Sequence, residues 1–515
     1  MTMNFKKLTS KIFSVFAALM LLTACDGYLD EPLENNRLSS DTDYTDTEQM
    51  DQYRLGAYAT FYDLQWETFP ILAVRGDDVN AAGDQPPLIT TDEYKYVASD
   101  WMPNSAWLNL YGDFFTFLGA IEEINKYKEF APNPTLADQY SAEIKVMYGF
   151  ELLQLSRLFG GLVIPKTSVS VDLYNEPLTS HDEVMQFISD LMDEAIPLLP
   201  NLRPNQRTDI VGGVTKHTAL AVKAWANLEI SNWQGVADAT DQIISSNLFS
   251  LESDYYQLFK VPGKLNNENL LELQYSDYGS GSGASNGYLW DFFGPNKFEG
   301  AVPGESAGWG FWEPTIKYIQ FMIDRGDEDR LVTSVLFTRD GIDSLEELNG
   351  TDDLPSYISY ITPSGDKIGS QDANPKESRA LFSSGKHYLP SDQLTPGRTG
   401  WSSGNNFRVI RYAQVLLMHA EAVSMGASTS TLSAKDAVNQ VRSRAGLANL
   451  AAVTIDDVLD EKYAELAMEW GTRFEDLIRH NKTNELNDVR RNYTESDRFL
   501  PYPTEQADIL SQLRK

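Results

Sequence analysis

Cysteine is almost missing from this chain of 515 residues: Cys25 stands alone. No disulfide can form within the chain, and a Cys–His nucleophile has one thiol at most to draw on. Histidine is scarce as well. There are 5, at His181, His217, His387, His419 and His480, and none is spaced from another His or a Glu as a helical metal-binding pair requires. Positive charge is the third shortage: 42 Lys and Arg stand against 74 Asp and Glu, a formal charge of −32. A field of that sign repels nucleic acid and anionic membranes. It disfavours anionic ligands unless a local basic cluster, such as Arg325 with Arg330, intervenes. Long apolar runs are absent too. The Ile12 to Leu22 stretch is shorter than the roughly 20 residues of a spanning helix.

That short stretch has a use. Lys6, Lys7 and Lys11 precede it and Leu22-Thr23-Ala24-Cys25 closes it. A basic start, a short apolar middle and small residues before the cut describe an export signal. Leu-x-Ala-Cys is the bacterial lipoprotein box, in which cleavage precedes Cys and the thiol is acylated. The expectation is a signal peptide over 1–24, a lipid on Cys25 and a polar, acidic tether over 25–46. The sole thiol is then spent on anchoring, and loss of the leader lysines makes the mature chain more acidic still.

Beyond the tether, apolar residues recur at helical spacing. Helices are predicted over 49–65, 107–127 and 135–159. Ser180-His-Asp-Glu183 is a capping box opening another to about 199. A pair over 215–231 and 234–245 carries Ala219, Ala221, Ala224 and Ala226 for close packing. From 248 to 405 Gly, Ser, Pro and aromatics take over, with a strand expected at 269–275 and one short helix at 313–324. Helices return at 407–425, 433–445, 455–470 and 472–480. The chain therefore divides into a helical part over 47–247, a loop-rich ligand-facing part over 248–405 and a helical part over 406–515. The fold class is mainly α, with helix pairs, a large loop-rich insertion and a few short strands. Loops on a rigid scaffold are where binding concentrates.

Carboxylates are abundant, so a glycosidase pair is not excluded by counting. Asp41-x-Asp43 and Asp327-x-Asp329 bring acids together, but neither continues as a calcium loop, and no cofactor is implied. The aromatics say more. Trp290, Phe292, Phe293, Trp309, Phe311 and Trp312 crowd one Gly-rich stretch, while Trp66, Trp101 and Trp401 sit near helix ends or in loops. Indoles in such loops are hard to bury, and their flat faces can stack on sugar rings. Trp290, Trp309 and Trp312 are the expected stacking platforms. Trp101 with Asn104, and Arg75 with Asp78, are the expected hydrogen-bonding or rim residues.

Several longer segments carry a resemblance. Phe407-Arg-Val-Ile-Arg-Tyr-Ala-Gln-Val-Leu-Leu-Met-His-Ala-Glu-Ala422 resembles the RYAEVLLMYAEA helix of the SusD/RagB family. Ala437 to Leu447 is similar to its LNxVRxRAGL segment, and Glu461 to Arg479 to ERxxELxxEGxRxxDLxR, with Trp470 placed before Gly471. Ala142 to Gly160, Asn267 to Tyr275 and Cys25 to Pro32 also resemble family segments, whereas the tail Arg498 to Pro503 lacks the usual QNPGY ending. The resemblance implies an α-helical body with tetratricopeptide-like helix pairs in a Bacteroidetes lipoprotein on the outer face of the outer membrane. It implies a non-catalytic protein that captures polysaccharide or oligosaccharide and delivers it to a SusC-like TonB-dependent transporter. The acidic surface favours neutral chains such as a β-glucan. The alternative reading is a structural lid on an importer of peptides or glycopeptides, with little glycan affinity of its own. Within the motifs, Ile410, Val415, Leu416, Leu417 and Met418 are expected to be buried, with Arg411–Glu421 and Glu469–Arg473 as ion pairs.

Overall fold

The computed structural model describes residues 42–63, 69–130, 132–276, 292–303, 308–350, 354–369, 381–395 and 403–514. Cys25, Asp41, Trp66, Trp290 and Trp401 lie outside them, as do the expected leader and most of the expected tether.

Helices start where a short polar side chain takes the first free N–H groups. Asp46 does so for α1 (Thr47–Phe61), accepting from the Glu48 and Gln49 N–H groups. α2 (Trp101–Phe130) and α3 (Pro134–Phe159) follow. Ser180 and Glu183 cap one another at α4 (His181–Ala195), as the sequence predicts. Thr215 and Asn232 cap α5 (Lys216–Glu229) and α6 (Trp233–Ser245). From α2 to α6 each helix packs on the next. The four alanines of α5 are fully buried or nearly so, which lets its neighbours approach closely.

The segment from 248 to 405 is richer in helix than its composition indicates. α7 (Ile316–Arg325), α8 (Glu328–Ser334) and α9 (Arg339–Asn349) replace the single helix expected. Between them run short antiparallel pairs. β1 (Val79–Ala81) pairs with β3 (Trp312–Pro314), and β4 (Val335–Phe337) with β5 (Phe382–Ser384). β2 (Asn269–Leu273) pairs with β6 (Phe407–Arg411), and every residue of both is buried. β6 corrects the helix expected from 407: the helix, α10 (Tyr412–Ser424), begins only after Arg411. Phe407 to Arg411 is strand because β2, remote in sequence, offers it a ladder, and local periodicity cannot show that.

α6 packs directly on α10, and α10 on α11 (Ala434–Arg444) and α12 (Ile455–Leu466). The helix stack thus continues across the insertion. α12 stops at Leu466, short of the expected 470. Met468 and Gly471 both take positive φ, and the Trp470 indole N–H donates to the Arg408 carbonyl at 3.1 Å. α13 (Thr472–Arg479) follows. One hydrophobic core runs from Met50 to Leu513 and joins the three sequence blocks.

Both expected ion pairs are corrected. Arg411, on the strand rather than the helix, reaches Glu268 at 2.6 Å, Glu465 at 2.9 Å and Glu469 at 2.7 Å. Glu421 pairs instead with Lys462 and Arg479, each at 2.7 Å, and with His480 at 2.9 Å. Arg473, turned aside by the left-handed Gly471, pairs with Asp77 and Glu485, each at 2.7 Å. The apolar residues named for this motif are buried as expected.

The tail docks despite its missing family ending. α14 (Thr504–Ile509) lies beside the start of α2, and Leu500, Leu510 and Leu513 join the core. The Leu500 N–H donates to the Leu158 carbonyl at 2.8 Å, and Tyr502 packs edge-on against Trp107.

Candidate functional site

The expected site residues part company in the structure. Trp309 is 36 % exposed, whereas Trp312, three residues on, is 0 % exposed. Trp312 sits among Phe69, Phe293 and His387, with ring centroids 4.9, 4.1 and 5.1 Å away. It has no face to give a ligand, and its role as a platform is corrected to that of a core residue. The cause is β3: pairing with β1 turns Trp312 inward.

A short backbone ladder holds Trp309. Gly308 N–H donates to the Pro295 carbonyl at 2.8 Å, Gly310 N–H to Gly294 at 3.0 Å and Phe311 N–H to Phe292 at 2.7 Å. Gly310 has a φ of +64°, which favours glycine there. Phe292 and Phe311 stack beneath, 5.7 Å apart at 20°, and the indole leans on them at 4.9 and 5.5 Å. The result is one partly exposed aromatic face on a buried aromatic base. Such a face offers dispersion and a π quadrupole, and no proton transfer.

Glu313 ties this region down. Its buried carboxylate accepts from the Leu381 N–H at 3.1 Å and the Phe382 N–H at 3.3 Å, linking β3 to β5. Burial pushes its pKa up to about 8.

The rim assignments are corrected as well. Arg75 is fully buried, and its guanidinium donates to the carbonyls of Arg157 at 3.2 Å, Asp497 at 3.1 Å and Arg498. Asp78 is buried and accepts from the Met468 N–H at 2.6 Å, and burial raises its pKa to about 6. Both are structural clamps. Their closeness in sequence carried no sign of a partner some four hundred residues on. Asn104 donates to Glu505 at 2.8 Å and accepts from Gln506 at 2.9 Å, so it docks α14. Trp101 beside it is 48 % exposed. Arg325 and Arg330 form no ligand-facing basic cluster. Arg325 reaches Glu461 at 2.6 Å, and the buried Arg330 pairs with Asp327, with Glu461 at 2.8 Å and with Glu465 at 3.1 Å. Asp327 is thereby committed to Arg330.

Among the described residues no group of three His, Asp or Glu is placed to hold a metal, and no helix is long and apolar enough to cross a membrane. His387, His419 and His181 hydrogen-bond Ser384, Thr240 and Ser156, and burial lowers the pKa of each.

Residues 267–509 match the sequence profile of the SusD family. That stretch, a little under half of the chain, is similar to the SusD family. A SusD-like protein of Bacteroides ovatus is 24 % identical over 488 residues, covering 90 % of this chain and 82 % of its own. Among solved structures, surface glycan-binding protein A from Bacteroides thetaiotaomicron, in complex with laminarihexaose, superposes with a TM-score of 0.71 at 21 % identity. The match covers 91 % of this chain and 98 % of that one. A laminarin-binding SusD-like protein gives a TM-score of 0.74 at 20 % identity, over 90 % and 98 %. The SusD-like architecture thus extends well beyond the profile match, into the first helical part.

One further feature escaped the sequence. A cleft of about 950 Å³ lies between the 247–253 segment and α11. Its walls come from distant parts of the chain, each unremarked by local pattern.

Proposed function

We propose that this protein is a SusD-like, non-catalytic surface glycan-binding lipoprotein. It captures an oligosaccharide or polysaccharide on Trp309 and passes it to a SusC-like TonB-dependent transporter. The observation that carries the reading is the half-exposed indole of Trp309 on its aromatic base, in a scaffold shared almost end to end with proteins that bind laminarin and laminarihexaose. The acidic charge and the internal pairing of Arg325 and Arg330 favour a neutral chain, of which a β-glucan is the first to try. Acylation of Cys25 would hold the protein on the outer membrane. An open platform of this kind corresponds to micromolar to millimolar affinity, about 4 to 8 kcal/mol.

The test is affinity gel electrophoresis of the form starting after Cys25, run through neutral and anionic polysaccharides. Retardation by one glycan is expected, weakened at least about tenfold by Trp309→Ala. A folded protein that no glycan retards would overturn the reading.

A second reading, the structural lid on a peptide or glycopeptide importer, has one observation in its favour. Trp101, Leu108, Val169, Val171, Tyr174 and Ile509 are exposed. Hydrogen bonds from Asn104 to Glu505 and from Gln512 to the Leu173 and Tyr174 carbonyls tie their elements together. An apolar face of that kind fits a protein partner. Both readings require the transporter; only the first requires Trp309. Growth that survives Trp309→Ala and is lost with Trp101→Asp or Tyr174→Asp would favour the lid.

A further inference from the structure

The cleft beside α11 stands apart from the Trp309 ladder. Phe407, at one end of β6, belongs to the aromatic core beneath that ladder through Phe69 and Phe293. Tyr412, just past the other end, is part of the cleft floor. Five strand steps at about 3.3 Å put roughly 17 Å between those two rings' backbones. Phe249 stacks against Tyr412 there, 6.1 Å away at 23°.

The cleft's chemistry is narrow. Its one cation, Arg444, is spent on Glu268 at 3.2 Å, on Glu465 and on the Glu252 carbonyl. Its one acid, Asp436, accepts from the Ser433 hydroxyl at 2.7 Å. The other polar lining side chains are neutral. Asn439 exchanges two hydrogen bonds with the Leu450 backbone, 2.8 and 3.0 Å, which fixes the loop bearing Asn449. Asn449 accepts from Ser443 at 2.8 Å and keeps its own amide N–H₂ unspent. Asn247 donates to the Ser245 carbonyl at 2.9 Å and keeps its side-chain oxygen. The Gln440 amide and the Tyr412 hydroxyl make no hydrogen bond within the protein among the described residues.

A ligand that uses these neutral groups must both donate and accept, and gains nothing there from negative charge. An anion finds no free cation, and a purely apolar ligand leaves the amides unmatched. Hydroxyl groups on a neutral chain satisfy both demands. The volume lies at the upper end of the roughly 300–1,000 Å³ of small-molecule sites. We infer that this cleft is a second contact site for an uncharged, hydroxyl-rich chain, recognised by Asn247, Tyr412, Gln440 and Asn449 over the Phe249–Tyr412 floor. The inference rests on the glycan reading and adds to it: a long chain is held at two separate points, a short one at either.

Gln440 and Asn449 are exposed, so Gln440→Ala with Asn449→Ala leaves the core intact. Calorimetric titration with laminari-, cello-, malto-, xylo- and manno-hexasaccharides, and with the matching polysaccharides, is read on four proteins: wild type, Trp309→Ala, the cleft double variant and the triple variant. The expected result is weak hexasaccharide binding that survives Trp309→Ala and disappears in the triple variant. The double variant alone should weaken polysaccharide binding about three- to tenfold. If wild type binds but Trp309→Ala abolishes all binding, and the double variant matches wild type, the cleft is not a site and the glycan reading stands. If wild type binds nothing in the panel, both fail together.

Discussion

Replacing Glu313 by Gln should change how the stability of this protein depends on pH, with a predictable sign. The carboxyl is 5 % exposed, accepts two backbone N–H groups, and has its pKa pushed from the ordinary 4.5 to about 8 by burial. Between those two values the folded chain holds a proton that the unfolded chain has lost. Stability contributed by this group is therefore full below pH 4.5 and falls as pH rises towards 8, by at most about 1.4 kcal/mol per pH unit. Integration with these values gives a loss of about 1 kcal/mol at pH 5 and about 3 kcal/mol at pH 7. Gln cannot ionise, so the variant escapes the loss. Its extra amide hydrogens carry a burial cost of about 1–3 kcal/mol, but that cost does not vary with pH. The quantity to measure is the difference in urea unfolding free energy between variant and wild type at pH 5, 6, 7 and 8, followed by tryptophan fluorescence. It should move in the variant's favour by about 2 kcal/mol from pH 5 to pH 7. A difference that stays flat within about 0.5 kcal/mol would show that Glu313 is ionised in the fold, its two backbone donors outweighing burial.

Arg411→Met leaves Glu268, Glu465 and Glu469 short of a shared cation and should cost about 3–5 kcal/mol. Adding Glu465→Gln should recover part of that loss in the same urea assay, and no recovery would place the cost elsewhere. Gly471→Ala should destabilise by more than about 2 kcal/mol, read from the urea midpoint. A methyl there meets the Leu72 carbonyl oxygen at 2.4 Å on a backbone with φ of +64°. Asn104→Ala should loosen only the tail, raising amide exchange across 504–513 and leaving glycan retardation unchanged.

The helical scaffold was legible because its signals are local. Ser180 with Glu183, the alanines of α5 and the apolar stripe after Tyr412 each act within a few residues. Where partners are remote, the sequence misled. Phe407 to Arg411 reads as the start of a helix until β2 is beside it. Arg411 and Glu421 look like natural partners until Glu465 and Lys462 arrive from α12. The same rule divides the aromatics. Trp309 and Trp312 share one composition and one stretch, and only the pairing of β3 with β1 decides that one is buried and the other shows a face. Asp78 reads as a rim residue beside Arg75, and only the turn at Met468 explains its burial.

The clamp made by Arg75 also bears on when the body can be finished. Residues 500–513 close against α2 and α3, through Gln506 on Asn104 and Leu500 on Leu158. A chain emerging N-terminus first can form early helices, but it cannot seal the surface around Trp107 until Tyr502 is free to pack there. Until then the early helices stay open along that seam. The tail is in effect a late latch on the helices that precede it.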